Sequence, residues 1–282
     1  MFRAIPKSVA AAFTAALFAA ASIAHAQQSD FKPYVGQQGK DVVWVPTPDE
    51  VVERMLIMAQ TKPEDYVIDL GAGDGKIAIA AAKKFGARAM GVEYNPEMVT
   101  FAQRNAKAAG VTDKAQIVHG DIFATDFTQA TVITMYLLPS LNMKLRPQIL
   151  ALRPGTRIVT HAFNMEDWEP DESTDVDGRR VYLWIVPANI AGRWSLELSG
   201  GASDKLSLNF DQRFQRIEGV AYLGSVLAGL REPRLSGFRI SFAYVDGKGV
   251  RRDFSGRVTG ATMEGSFRGD NGQEGRWSAA KK

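Results

Sequence analysis

The chain has 282 residues, of which 45% are hydrophobic and 23% are charged, and its formal net charge is +3. This composition is typical of a folded protein with room for one large domain and a smaller one, and it excludes a wholly disordered chain. Cysteine is absent, which excludes disulfides, thiolate metal sites and a cysteine nucleophile.

The first predicted element is a secretory signal peptide over residues 1–26. Arg3 and Lys7 precede an apolar run at 9–23, and Ala24-His25-Ala26 has the small-x-small pattern of a cleavage site. The run is shorter than the ~20 apolar residues of a membrane-spanning helix. We therefore expect cleavage after Ala26 rather than a membrane anchor, and a periplasmic or secreted protein.

Removal of this segment also changes the net charge, and the net charge bears on whether the protein binds nucleic acid. The formal charge falls from +3 to +1, because Arg3 and Lys7 are its only charged residues. A nearly balanced chain has no electrostatic footprint for nucleic acid, so we expect no nucleic-acid partner.

Residues 27–187 are predicted to form an α/β domain with a doubly wound, mostly parallel sheet, because short apolar strands alternate with helical patterns. In the first helix, "TPDEVVERMLIMAQ", we place Thr47 as the cap and Pro48 at the first helical position. The acidic segment "NMEDWEPDESTDVDGRR" is predicted to be a loop. Strands are predicted at 66–70, 88–92, 115–119, 131–135, 156–162 and 181–186, and later helices at 76–84, 96–109 and 140–150.

Residues 188–282 are predicted to form a small antiparallel β domain, since glycines and turn residues separate stretches of period-two alternation. Phe238, Ile240, Phe242 and Tyr244 alternate in this way and are expected to share a buried face. The string "GRWS" occurs at 192–195 and again at 275–278, which suits first and last strands that meet in a small barrel.

The sequence at 67–75, "VIDLGAGDG", indicates a ligand-binding loop between a strand and a helix. Gly71, Gly73 and Gly75 remove side-chain bulk, so the backbone can approach a ligand closely. The following helix directs free N–H groups at that ligand, which favours an anionic group.

Three acids are expected to converge beside this loop, because successive parallel strands bring their carboxyl ends to one edge of the sheet. Glu93 is suited to a ribose diol, and Asp121 to the exocyclic amine of an adenine. Asp69 is expected to hold the glycine loop and to compensate an ammonium group. The ligand that combines these groups with a carboxylate is S-adenosylmethionine (SAM).

Two other nucleotide-binding patterns fit less well. A dinucleotide fingerprint needs glycine at its sixth position, where this chain has Lys76, and a Walker loop needs Ser or Thr where it has Ile77.

The chain resembles the class I SAM-dependent methyltransferases in three motifs, "DLGAGDG", "GVEYNP" and "HGDIF". More closely, "WVPTPDEVVERML" and "TMYLLPSLNMKLRPQIL" resemble the small protein-lysine methyltransferases that modify the c-subunit of ATP synthase, together with related bacterial proteins. The resemblance implies a Rossmann-like fold, SAM as cofactor and a protein substrate. It covers none of the C-terminal region.

Tyr136, after the fourth strand, is our candidate catalytic residue, because this fold places its acceptor-side motif there. Trp44, Pro46 and Thr47 precede the first helix and are expected to close over the methionine end of the cofactor. His161 ends the fifth strand and is either a base that faces the site or a structural histidine. No cluster has the spacing of metal ligands.

The sequence favours an exported SAM-dependent methyltransferase that acts on a protein lysine. Two alternatives stay open. One is a non-catalytic module that binds an adenosyl ligand, and the other is an interaction module of the cell envelope for which the N-terminal domain is a scaffold. The intact glycine loop and Glu93 favour the enzyme.

Overall fold

The computed structural model describes residues 31–199 and 205–282. Residues Tyr34–Lys282 form one compact unit. Of the other unit, Met1–Pro33, only residues 31–33 are described. The predicted signal peptide and its cleavage after Ala26 lie outside the described residues.

The first sheet has seven strands in the order β3-β2-β1-β4-β5-β7-β6. The five strands from β3 to β5 are parallel, and β7 and β6 are antiparallel to their neighbours. This arrangement confirms the predicted fold class. The strands are β1 Tyr66–Leu70, β2 Arg88–Glu93, β3 Ala115–His119, β4 Val132–Met135, β5 Arg157–His161, β6 Glu172–Val176 and β7 Arg179–Ile185.

Helices cover both faces of this sheet, and the side chains of β1 alternate between them. Val67 packs into the core below the first three helices, whereas Ile68 and Leu70 pack on the opposite side. The described helices are α1 Asp49–Met58, α2 Lys76–Phe85, α3 Pro96–Ala108 and α4 Pro139–Leu150.

The start of α1 corrects one prediction. Thr47 is not its cap; the N-cap residue is Pro48, whose carbonyl accepts from the N–H groups of Val51 and Val52. The Thr47 side chain instead faces the candidate site.

The acidic segment contains a strand where the sequence predicts a loop. Residues Glu172–Val176 form β6, which pairs with β7 at the edge of the sheet. The turn between them is Asp177-Gly178, with both residues at positive φ (50° and 78°), as a tight hairpin requires. The strand lacks an apolar alternation because it is an edge strand with mostly exposed side chains.

The second sheet is antiparallel and has nine strands in the order β11-β10-β9-β8-β16-β15-β14-β13-β12. Strands β8 and β16 carry the two "GRWS" strings and pair with each other, so the predicted meeting of first and last strands is confirmed. Among the described residues the ladder ends at β11 and β12, although β12 also contacts β10. The strands are β8 Gly192–Ser199, β9 Lys205–Arg213, β10 Arg216–Leu223, β11 Val226–Gly229, β12 Arg231–Ser236, β13 Arg239–Val245, β14 Arg251–Thr259, β15 Thr262–Gly269 and β16 Glu274–Lys281.

The interior of this near-barrel is aromatic. Ile240, Phe242 and Tyr244 are buried there, as predicted, together with Trp194 and Trp277. Phe238 is an exception, because it lies in the turn before β13, half-buried, against Gly155 of the first sheet's connecting loop.

The two sheets follow one another within the compact unit. β7 ends at Ile185 and β8 begins at Gly192. The division into separate domains at 187–188 stays a prediction, since both sheets belong to the unit Tyr34–Lys282.

Candidate active site

A crevice lies at the carboxyl ends of the central parallel strands, beside the start of α2. Its volume is about 350 Å³, within the range of small-molecule sites. The residues that line it include seven of the eight predicted site residues, namely Thr47, Asp69, Gly71, Gly73, Glu93, Asp121 and Tyr136.

The glycine loop has the backbone shape that only glycine adopts readily. Gly71 and Gly73 have φ of 82° and 53°. A Cβ on Gly71 would lie 3.0 Å from a Leu137 methyl group, and a Cβ on Gly73 would lie 2.6 Å from Trp44 Nε1. Any side chain at either position would therefore disturb the crevice.

Gly75, predicted to bind the cofactor, is placed differently. It is the N-cap residue of α2, at φ 79°, and a Cβ there would lie 3.1 Å from Ala102 and 3.2 Å from Ile117. Its role in the structure is close packing of the helix against its neighbours, the part played by the third glycine of dinucleotide-binding loops.

Glu93 ends β2 and holds the glycine loop. Its Oε2 accepts from the Gly73 N–H (2.9 Å), and its Oε1 accepts from the Asn95 N–H (2.9 Å). The sequence predicts that Asp69 holds this loop, and the structure corrects that prediction, because the loop is bound by Glu93. Each carboxylate oxygen has a second lone pair, so Glu93 can also accept both hydroxyls of a ribose diol.

Asp69 is buried at the end of β1, with 2% of its surface exposed. Burial raises the pKa of this carboxyl to about 7, against the hydrogen bond that Thr134 Oγ1 donates to it (2.7 Å). The nearby carboxyls of Asp74 and Glu93 raise the pKa further. A cationic ligand group at this position would favour the ionised form, which suits an ammonium.

Asp121 lies beyond β3 on the opposite wall of the crevice. Its Oδ1 accepts from the Phe123 N–H (2.9 Å), and its Oδ2 forms an ion pair with Lys40 Nζ (2.7 Å). The hydrogen bond from Lys40 is the main reason that the pKa of Asp121 is lowered. An adenine amine at Asp121 would therefore share this carboxylate with Lys40.

The sequence analysis misses two side chains beside these acids. Tyr94 follows Glu93 and Ile122 follows Asp121, and both line the crevice. Tyr94 is 48% exposed, with Lys40 Nζ 4.5 Å from its ring centre. A flat apolar group that enters between the two acids would contact both Tyr94 and Ile122. The sequence could have identified these two residues, because each directly follows a predicted site acid.

Residues 37–47 form a strap across the crevice. Trp44 lies with its indole against Gly73, and its backbone N–H and C=O pair with Gln37 and Gly36. Lys40 ties the strap to Asp121. The predicted lid residues Trp44, Pro46 and Thr47 therefore all line the crevice.

An aromatic and histidine cluster forms the acceptor side. The rings of Tyr136 and His161 lie 3.9 Å apart, and Phe163 stacks 6.1 Å from Tyr136. His161 Nδ1 is 3.2 Å from Thr47 Oγ1. Burial, and secondarily the charge of Arg179, lowers the pKa of His161 to about 4, so the imidazole is neutral near pH 7.

A second cavity, of about 320 Å³, adjoins the crevice on this side. The two cavities share Val45, Pro46 and Tyr136, and the second is otherwise lined by His161, Pro48 and the β6–β7 turn with Arg179 and Arg180. Next to His161, Ala162 has φ 65° and the Phe163 N–H donates to the His161 carbonyl (2.8 Å). This is a strained γ-turn, and such strain concentrates at functional sites.

The second sheet contacts the loop that follows this turn. Trp168 Nε1 donates to Gln215 Oε1 (2.9 Å), and Gln215 Nε2 donates to the Glu169 carbonyl (2.7 Å). Phe214 stacks on Trp168, with ring centres 5.7 Å apart. The ion pairs Arg213–Asp167 and Arg216–Glu169 flank these contacts. We call residues 213–216 the clamp, because they hold the acceptor-side loop 163–169.

Comparisons with known proteins identify the family. The protein-family model described as "ANTKMT methyltransferase domain" matches residues 69–172 of the sequence. A protein-lysine N-methyltransferase of Saccharolobus islandicus (strain REY15A) is 44% identical over 151 residues, which are 51% of this chain and 94% of the relative. The lysine N-methyltransferase of the ATP synthase c-subunit of Mus musculus is 32% identical over 146 residues, and the match spans 51% of this chain and 58% of that protein.

A solved structure of similar size to the matched region agrees. It is described as an RNA methyltransferase from Salinibacter ruber in complex with S-adenosyl-L-homocysteine, with 49% identity and a TM-score of 0.51. The match covers 52% of this chain and 96% of that one. For both the archaeal relative and this structure, the matched part is about half of the present chain. The chain therefore belongs to the class I SAM-dependent methyltransferases, and its cofactor is SAM.

Proposed function

We propose that this methyltransferase modifies a lysine side chain of a protein substrate. The observation that carries the proposal is the second cavity, which adjoins the cofactor crevice at Val45, Pro46 and Tyr136 and is also lined by His161. The rings of Tyr136 and His161 in this cavity suit the long apolar stem of a lysine, and the nearby cations Arg179 and Arg180 favour its neutral amine over the ammonium. The relatives named above as lysine methyltransferases support the same substrate class.

The residues of the two cavities suit an amine nucleophile. SAM, when bound, supplies a methyl group whose bond to sulfur breaks as a bond to the acceptor nitrogen forms, and that nitrogen must already have lost its ammonium proton. Burial beside Tyr136 and Phe163 lowers the pKa of an entering ammonium by desolvation. The neutral His161 adds no repelling charge, and when Nδ1–H donates to Thr47, its Nε2 can accept a hydrogen bond from the amine.

The remaining contribution to catalysis is the positioning of the acceptor nitrogen in line with the methyl group. A methyl displacement needs nucleophile and methyl carbon held in line in a dry pocket, and such positioning alone lowers a barrier substantially. We assign Tyr136 to this task, because it lies at the end of β4 on the boundary of both cavities.

The test is transfer of label from methyl-tritiated SAM to a protein extract, followed by acid hydrolysis and chromatography. We expect label in methylated lysine, and we expect the Tyr136→Phe and His161→Asn variants to label more slowly with unchanged affinity for SAM. The Tyr182→Phe variant, altered outside both cavities, is the matched control. SAM binding without label in lysine, or unchanged rates in both site variants, would contradict the proposal.

RNA methylation is the second candidate, since the structure from Salinibacter ruber is described as an RNA methyltransferase. The same assay decides between the two. Label that ribonuclease releases and protease does not would assign an RNA substrate, whereas the lysine assignment requires the reverse.

We also propose that the protein is exported, which rests on the pattern of residues 1–26 alone. No helix in the described part of the chain is both long and apolar enough to span a bilayer. The size of the chain in the extracellular or periplasmic fraction tests this, because cleavage after Ala26 removes 26 residues.

A further inference from the structure

A shallow groove on the outer face of the second sheet has the composition of a ligand site. Its volume is about 650 Å³, and it lies across β12 to β16. Four arginines and four serines dominate its lining: Arg234, Arg239, Arg257, Arg276, Ser236, Ser241, Ser255 and Ser266. We call it the arginine–serine groove.

The strand register arranges part of these side chains in one row. Arg234 is opposite Ser241, Ser241 opposite Ser255, Ser255 opposite Ser266, and Ser266 opposite Arg276. Adjacent strands are ~4.8 Å apart, so the row offers a hydroxyl or guanidinium about every 5 Å and the end arginines are ~19 Å apart. A single small anion cannot reach both ends, but an extended chain can.

The next row contains an arrangement that is unfavourable for folding. Arg239 and Arg257 are directly opposite each other, and like charges in that position destabilise a sheet. Both guanidinium groups lie near the Phe238 ring, at 5.7 Å and 4.1 Å from its centre. The ring holds the two cations side by side, so that two guanidinium groups, each able to donate two parallel hydrogen bonds, face an anionic group.

The groove arginines also differ from two other arginines of the same strands, which form ion pairs. Arg251 pairs with Asp253, and Arg268 pairs with Glu274. Among the described residues, no ion pair involves any of the four groove arginines. The one acid that lines the groove is Glu264, opposite Arg257.

We propose that the arginine–serine groove binds an anionic polysaccharide, with the arginines on its carboxylate, sulfate or phosphate groups. Serine hydroxyls and Glu264 both accept hydrogen bonds, and serine also donates them, so the floor matches sugar hydroxyls between the charged groups. Among the described residues that line the groove none is aromatic, and the nearby Phe238 ring already contacts Arg239 and Arg257, so the groove offers no free stacking platform for single-stranded nucleic acid. It also has no large exposed apolar side chain of the kind that inserts into a membrane surface.

The test is binding of the full chain to dextran sulfate and to alginate, with neutral dextran, poly(U) RNA and phosphatidylglycerol vesicles as competitors. We expect both anionic glycans to bind, neutral dextran not to bind, and Arg239→Ala/Arg257→Ala to weaken binding at least about tenfold. Arg234→Ala/Arg276→Ala, at the ends of the row, should weaken it similarly.

The matched control is Arg153→Ala/Arg193→Ala, which removes the same charge from exposed positions outside the groove. An equal loss of affinity in this control would reduce the effect to net charge and overturn the proposal. Stronger competition by RNA or by vesicles, with the same dependence on Arg239 and Arg257, would reject the glycan and assign the groove to that polyanion.

Discussion

At the scale of single residues, the role of holding the glycine loop belongs to Glu93 and not to Asp69. The sequence predicts that Asp69, Glu93 and Asp121 meet in one crevice, and the structure places all three there. The prediction from the sequence that Asp69 holds the loop is wrong, because the loop is held by the hydrogen bond from Gly73 N–H to Glu93 (2.9 Å), which depends on how the chain folds. Likewise, the position of Lys40 on Asp121 depends on how the strap folds back, over a separation of 81 residues.

The raised pKa of Asp69 makes cofactor binding depend on pH. An ammonium group pairs with the ionised carboxylate, and Asp69 ionises as pH rises through about 7. We therefore expect affinity for S-adenosylhomocysteine to increase between about pH 6 and about pH 8, with a proton released on binding at the lower pH. Calorimetry in buffers of different ionisation enthalpy measures both quantities.

The Asp69→Asn variant is the control for this prediction. Its amide oxygen can still accept from Thr134, so the fold is retained, but it cannot ionise. Affinity in this variant should be weaker at the higher pH and nearly independent of pH. A wild-type affinity that does not change over this range would show that no ammonium pairs with Asp69.

At the scale of elements, the α/β half was predictable because its strands are apolar and its helices periodic, and the predicted bounds agree with the observed ones to within a few residues. The edge strand β6 was missed because its exposed sequence has neither signal. The clamp also could not be predicted from the sequence, because its contacts join residues 163–169 to residues 213–216, which are distant in the sequence and polar in composition.

The clamp leads to a prediction about the acceptor side. Gln215→Ala removes the partner of Trp168 Nε1 and leaves that donor unsatisfied on a fully buried side chain. The free energy of unfolding should fall by about 1–3 kcal/mol. Because loop 163–169 begins at Phe163 in the crevice, kcat should fall as well, while the Kd for SAM should change little.

Gln116→Ala serves as the comparison, because Gln116 is exposed on β3, away from the acceptor side. Chemical denaturation and steady-state kinetics on both variants separate the effects. A Gln215→Ala protein that is less stable but keeps its wild-type kcat would limit the clamp to a structural role.

At the scale of the whole molecule, the chain joins a methyltransferase of the size of its archaeal relative to a near-barrel that the family match does not cover. The cofactor class was predictable, because the glycine loop and the strand-end acids follow from local sequence. The second cavity was not predictable, because it is assembled from the strap, the ends of β4 and β5, and the β6–β7 turn, which are distant in the sequence. The two "GRWS" strings predicted that the first and last strands of the near-barrel meet, but nothing in the sequence predicted that β11 and β12 would be its two edge strands.

The most direct test of the cofactor site is calorimetric titration of the full chain with SAM and S-adenosylhomocysteine, in the wild type and in Glu93→Ala. We predict micromolar binding of both ligands to the wild type. The variant should lose about 1.5–3 kcal/mol of binding free energy, as for a charged hydrogen bond, because Glu93 both accepts the ribose and holds Gly73. A folded wild-type chain that binds neither ligand, or a variant that binds both with unchanged affinity, would contradict the site described above.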